Sequence, residues 1–272
     1  MKIIFTGDNH VFYGDQRQAV LEMMEAIRHE KPDVVCNVGD IGEVLMDDGN
    51  TTLIKELFSI KPTLFVPGNH DLYSHSHYVP PQGMSKFLEV MKCFGYALQT
   101  CWTDSVTIYE TSGCLFLGTM GFPDFAHPKM IMPIHYYDDR CPTVDGTYMN
   151  LQGGFLQYTR TLIDAFEKKL QLVDISNCSN IIIITHYPIF ESQYHLNPTE
   201  DISVYFYCHK IGQLVKQASQ KNPHKKFYCV AGHGHEYNLG QWIMDGNIYS
   251  HGLVTTYNDQ KYIMLDIPAT IE

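Results

Sequence analysis

No stretch of this 272-residue chain is apolar for long enough to cross a bilayer; strongly aliphatic runs such as Ile181 to Ile184 fall far short of a membrane span. The opening Met-Lys-Ile-Ile-Phe has no long apolar segment and no small-residue cleavage site, so the expectation is a cytosolic protein without a signal peptide. Paired cysteines are also missing. The eight cysteines (Cys36, Cys93, Cys101, Cys114, Cys141, Cys178, Cys208, Cys229) are scattered and form no C-x-x-C pair, which argues against a zinc ribbon or a disulfide framework. Several lie inside apolar runs, where a thiol acts as a small hydrophobe. Positive charge is scarce: 19 Lys and Arg against 30 Asp and Glu leave a net charge of −11 with histidine neutral. Such a surface repels a phosphate backbone and weighs against general nucleic-acid binding. Low-complexity tracts, linkers and internal repeats are absent.

What is present suits a globular chain. Hydrophobic residues make up 44% and charged residues 18%, enough for a sizeable core, and the length fits one domain over residues 1–272. Lys2 to Thr6 reads as a buried strand, Gln16 to Glu30 as a helix with Val20, Leu21, Met24 and Ile27 at helical spacing, and Val34 to Val38 as a second strand. A short helix over Thr52 to Ser59 and a strand over Thr63 to Val66 complete an alternation that predicts a parallel sheet with right-handed crossovers. Ser85 to Phe94 reads as helix, and Val106 to Tyr109 pairs with Cys114 to Gly118 as a hairpin. Residues 121–150, rich in Pro, Tyr, Asp and His, form an irregular insertion. Helices are expected over Phe155 to Leu172 and Val204 to Gln220, and strands over Ile181 to Thr185, Phe227 to Ala231, Leu239 to Met244, Ile248 to His251 and Lys261 to Ile267.

Five apolar strands stop at a short polar cluster: Gly7 to His10 (GDNH), Gly39-Asp40, Gly68 to Asp71 (GNHD), Thr185 to Pro188 (THYP) and Gly232 to His235 (GHGH). In α/β sheets the loops at the carboxyl ends of strands converge, so the clusters share one rim. Each brings only carboxylate, amide or imidazole, a donor set suited to Mn, Fe, Zn or Co rather than Ca or Mg. Any one cluster alone is weak, since a D-x-H after a strand is usually a capping Asp beside a surface His. Five together are not.

The order D-x-H, G-D, G-N-H-D, H, G-H-x-H resembles the calcineurin-like metallophosphoesterase superfamily, from Asp8 to His235. The resemblance implies an α/β fold, a four-layer α-β-β-α sandwich with a two-metal centre at the rim. It implies that Asp8, His10 and His235 hold one ion, that Asn69, His186 and His233 hold the other, and that Asp40 bridges both. His70 would be the catalytic residue near the leaving group. Two departures stand out. The family often has Asp or Asn three residues after the G-D aspartate, where this chain has Glu43. Its protein Ser/Thr phosphatases carry an arginine soon after that aspartate and end the third motif in Glu, whereas here the segment reads IGEVLMDD and the motif ends in Asp71, which disfavours a dedicated phosphoprotein phosphatase.

The implied chemistry is hydrolysis of a phosphate ester by a metal-bridging hydroxide, with two divalent ions roughly 3.5–4 Å apart. Manganese is the first expectation, with iron, zinc, cobalt or nickel as alternatives, and no organic cofactor. The partner is a small phosphorylated substrate, with no membrane and no nucleic acid; the oligomeric state is not legible. A phosphomonoesterase or phosphodiesterase leads, a cyclic-nucleotide or other nucleotide phosphodiesterase follows, and a nuclease or a non-catalytic binding protein of the same fold comes last. His75, His77, His127, His135, Arg140, His195 and His251 are read as loop or structural residues that could at most touch substrate or support the site.

Overall fold

The computed structural model describes residues 1–11, 16–42, 63–72, 96–98, 108–124, 155–195, 207–256 and 259–268, with single positions at 59, 89 and 91. The expected helices over 52–59 and 85–94, most of the 121–150 insertion, Glu43, His75, His77, His127, His135 and Arg140 lie outside the described residues.

Strand β1 (Lys2–Thr6) leads to helix α1 (Gln16–Glu30), then to β2 (Val34–Asn37), β3 (Thr63–Phe65) and β4 (Tyr96–Ala97). Helix α1 buries Val20, Met23, Met24 and Ile27, and Met23 Sδ meets Thr6 Oγ1 at 3.2 Å, so the helix lies on the outer face of this sheet. Lys31, with φ 51°, turns the chain out of the helix, and Pro32 prevents its resumption. The second sheet contains β5 (Tyr109–Thr111), β6 (Cys114–Thr119), β7 (Asn180–Thr185), β8 (Lys226–Ala231), β9 (Ile243–Asp245) and β10 (Ile248–Gly252). Two long helices, α2 (Phe155–Ile175) and α3 (His209–Lys221), cover its outer face, and β11 (Ile263–Asp266) returns to the first sheet.

The strand orders are β11-β1-β2-β3-β4 and β5-β6-β7-β8-β10-β9. Strands β1 to β3 run parallel, as expected; β4, a two-residue strand not anticipated from the sequence, joins β3 parallel, and β11 joins β1 antiparallel through Ile3↔Leu265. In the second sheet β6, β7, β8 and β10 are parallel, with antiparallel β5 and β9 at the edges.

Two apolar layers hold this together. Between the sheets, Ile3, Phe5, Val34, Cys36, Leu64 and Val66 pack against Phe116, Ile182, Ile184 and Val230. On the other face of the second sheet, Leu115, Leu117, Ile181, Ile183 and Phe227 meet Phe166, Leu170 and Val173 of α2 and Ile211, Leu214 and Val215 of α3. The alternation of Ile181, Ile183 with Ile182, Ile184 is the two-residue period of a strand buried on both faces. Burial of each such side chain is worth roughly 1.5–3 kcal/mol. Lys169 interrupts the α2 stripe, fully buried, and its ammonium donates to the carbonyls of Leu98 (2.5 Å) and Gly118 (3.1 Å). The layers are therefore α1, sheet, sheet, α2 with α3.

Element boundaries shift by a few residues. The expected hairpin is present, pairing Tyr109–Thr111 with Cys114–Phe116; its expected start at Val106 lies outside the described residues. The strand expected over Leu239 to Met244 begins only at Ile243, because a one-turn helix at His235–Tyr237 and the left-handed Gly240 occupy the preceding chain.

Candidate metal centre

All five polar clusters follow the carboxyl ends of β1, β2, β3, β7 and β8, and all five meet at one edge of the sandwich. Asp8, His10, Asp40 and Asn69 come from the first sheet, and His186, His233 and His235 from the second. Asp8, His10, Asp40, Asn69 and His186 are almost wholly buried.

Three metal-competent groups form around Asp40 among the described residues. In the first, donor atoms of Asp8, His10 and His235 lie within 4.8 Å of one another. The His10 and His235 rings are stacked at 5.2 Å, with their Nε2 atoms 3.3 Å apart. In the second, Asp40, His186 and His233 lie within the same limit, and Asn69 Oδ1 sits 2.7 Å from His186 Nε2 and 3.1 Å from His233 Nδ1. Asp40 Oδ2 stands between the groups, 3.7 Å from His10 Nε2 and 3.4 Å from His186 Nε2. The third joins His70 to His10 and Asp40 within the same limit, with the His70 ring edge-on to His10 at 4.7 Å.

The protonation of His186 shows what this cluster can hold. Its Nδ1 lies 3.0 Å from the carbonyl of Val38, which can only accept, so Nδ1 carries the hydrogen. Burial holds the ring's pKa well below 6.5, so it is neutral and Nε2 presents a lone pair. That lone pair faces the Asn69 amide oxygen, the Asp40 carboxylate and His233 Nδ1. The His186 lone pair, the Asn69 amide oxygen and the Asp40 carboxylate are all electron-rich, a set suited to a cation. The residues present therefore fit a divalent metal.

Burial sets the remaining titrations. It is the largest influence on His10 and His233, whose pKa values fall well below 6.5, with neighbouring imidazoles adding to the shift. His70 is brought down to about 4 for the same reason. Asp8 is pushed up to about 6 by burial, against the opposing pull of His235 and of the His233 N–H at 2.9 Å from Oδ1. A bound cation reverses these carboxyl shifts.

Backbone geometry is as unusual as the donor set. Asp8, His10, Asp40, His233 and His235 have φ of 50°, 43°, 51°, 64° and 46°, in the left-handed region that non-glycine residues avoid at about 1–2 kcal/mol each. Neighbouring glycines give this backbone room. Gly39 has φ 99°, and a Cβ there would lie 2.6 Å from Gly68 N; one on Gly68 would collide with Asp40.

Sequence reasoning missed several supporting residues. Tyr187, fully buried, lies 4.0 Å from the His233 ring and 5.1 Å from His186. Asp71 accepts from Gly68 N (2.8 Å) and Gly42 N (3.1 Å), and burial pushes its pKa up to about 7 despite those donors. Gln193 clamps the chain after His186, accepting from Ile189 N and Phe190 N at 2.8 and 3.0 Å. The THYP signal marked only His186. Of the residues set aside, His251 lies in β10 against Trp242 at 5.1 Å, and His195 donates its backbone N–H to Tyr237; neither belongs to a metal-competent group.

A two-sheet α/β sandwich with clustered imidazoles and carboxylates at its strand ends is the framework of a metal-dependent hydrolase. The chain belongs to the calcineurin-like phosphoesterase family, whose sequence profile matches residues 1–237. It is thus a metal-dependent phosphoesterase by family. No curated protein matches it significantly. Among solved structures it is similar to a dimetal phosphatase from Danio rerio, with 13% identity, 95% of this chain and 88% of that one covered, and a TM-score of 0.56. It is also similar to TT1561 of Thermus thermophilus, with 13% identity, coverage of 93% and 89%, and a TM-score of 0.48. At 13% identity the likeness to the Danio rerio structure is one of fold. No helix among the described residues is long and apolar enough to cross a membrane.

Proposed function

We propose that the chain is a binuclear phosphoesterase acting on a small phosphorylated substrate. Asp8, His10 and His235 hold one divalent ion, Asn69, His186 and His233 the other, and Asp40 is shared. The observation that carries this reading is the His186 lone pair, facing an amide oxygen, a carboxylate and a second imidazole with no proton to offer any of them. Manganese is the first candidate, with iron, zinc, cobalt and nickel as alternatives for a donor set that mixes imidazole with carboxylate and amide oxygen.

When bound at these residues, divalent ions would supply Lewis acidity for activating water and offsetting phosphoryl charge. The protein's own residues do the rest. The Val38 carbonyl fixes the His186 tautomer and ring direction. Tyr187 packs against the His186 and His233 imidazoles and limits how their rings can turn. His70 stands at the rim, half-buried, with a pKa near 4 that makes it a neutral hydrogen-bond donor to the leaving oxygen at pH 7.

The test is an assay of purified protein on an aryl phosphate monoester, the matching diester and a cyclic nucleotide, with manganese or with chelator. Manganese-dependent turnover of at least one, abolished by chelator, is expected, and the preferred ester assigns the class. No metal-dependent turnover of any of the three would leave only the fold to a non-catalytic role.

A further inference from the structure

Three carboxamides lie behind the first metal group and belong to none of its donor set. Asn37, at the end of β2, accepts the Gly39 N–H on Oδ1 at 2.9 Å and donates through Nδ2 to Asn9 Oδ1 at 2.8 Å. Asn9, between Asp8 and His10, donates to Gln260 Oε1 at 3.1 Å and to Thr6 Oγ1 at 3.3 Å. Gln260 donates to the carbonyls of Asp8 at 3.3 Å and Thr256 at 3.2 Å. Asn9 and Asn37 are fully buried, and Gln260 is half-buried. Gln260 lies beyond the segment that matches the family profile.

The chain of amides has a single polarity. Gly39 N–H can only donate, so Asn37 must turn its oxygen toward it; the Asp8 and Thr256 carbonyls can only accept, so Gln260 must turn its nitrogen toward them. With both ends fixed, Asn9 has one orientation that serves both neighbours. Both ends also terminate on backbone adjoining metal-site residues, at Gly39 before Asp40 and at Asp8 itself. The two loops are further laced by Asp8 N to Gly39 O at 2.9 Å and His10 N to Asp40 O at 3.1 Å. Asp8 and Asp40 both sit in left-handed backbone, which persists only where the surroundings over-determine it.

We propose that Asn9, Asn37 and Gln260 are positioning residues: a directional amide relay that sets the spacing of the Asp8–His10 loop and the Asp40 loop, and with it the affinity of the Asp8–His10–His235 metal site. The inference rests on the binuclear reading above. It gives the segment after β10 a role in the site although none of its described side chains belongs to a metal-competent group: Gln260 supports, across 252 positions of sequence, the carbonyl of a ligand residue.

The test is metal stoichiometry rather than turnover. Wild-type protein and Gln260→Met, which keeps the length of the side chain but neither accepts nor donates as an amide, are dialysed against equal free manganese and analysed for bound metal. Two ions per chain are expected in the wild type and about one in the variant, with the first site weakened about 10–100-fold, the usual effect of removing support behind a ligand. Asn247→Leu is the comparator. Asn247 donates to the carbonyls of Ser219, Asn222 and Lys225 away from the site, so its loss should lower the melting temperature while both ions remain. Asn37→Asp is the second variant, keeping the acceptor for Gly39 but not the donor to Asn9, and the same loss of one ion is expected. Two ions at wild-type affinity in Gln260→Met or Asn37→Asp would overturn the relay alone. A folded wild type that takes up neither manganese nor zinc would instead overturn the metal reading on which the relay depends.

Discussion

Asp40 is the side chain on which both groups of donors depend, and its position argues for an all-or-none effect. One of its oxygens faces His10 and His186 across the two groups, while the other accepts the His70 N–H at 2.9 Å. Asp40→Ala is expected to abolish activity and to lower bound metal below two ions per chain, read by elemental analysis. His70→Ala is expected to lower turnover by about 10²–10⁴-fold with both ions retained; loss of metal from it would show His70 to be a ligand. The imidazoles also predict a pH dependence for the metal-free protein. His10, His186 and His233 titrate well below 6.5 in the fold, and His70 and His251 near 4, so below about pH 6.5 the unfolded chain binds more protons than the native one. Their contribution is present above that pH and is lost as pH falls. Asp8 and Asp71, raised to about 6 and 7, act in the opposite sense, but they are two groups against five. Melting in chelator should therefore occur at lower temperature at pH 5 than at pH 7.5, and an unchanged midpoint would contradict the burial of neutral imidazoles.

At the level of elements, the strands and helices that carry the site were legible because their apolar periods are clean. Lys2–Thr6 and Gln16–Glu30 have the limits their sequence suggests, and the Gly-Asp and Gly-His clusters mark where β1, β2 and β8 stop. Leu239 to Met244 misled because its alternation continues through a segment in which Gly240 turns left-handed and pairing starts only at Ile243. The amide relay was illegible for another reason: a contact between Asn9 and Gln260 leaves no local period, and single carboxamides in loops look like any surface polar residue. The exit of α1 offers a test free of the metal site. Lys31 takes the left-handed conformation where helices prefer glycine. Lys31→Gly is expected to raise stability by about 0.5–1 kcal/mol in denaturant unfolding, with metal content unchanged. A destabilised variant would mean that the Lys31 side chain contributes more than its backbone strain costs.

For the molecule as a whole, the division of donors matters more than their number. Four of the seven come from one sheet and three from the other, so a bound pair of cations would tie the two halves of the sandwich across its core. Saturating manganese is expected to stabilise the fold by about 2.7 kcal/mol per occupied site at a hundredfold excess over the dissociation constant, seen as a higher melting temperature that chelator reverses. Equal melting in manganese and chelator would contradict tight binding to the native state. The same division bears on how the protein comes apart. Neither half alone presents a complete set of donors, so a chain cleaved between Ala97 and Tyr109 leaves fragments that can recover the full cage only by reassociating. Their reunion should then report the free concentration of divalent ions around them.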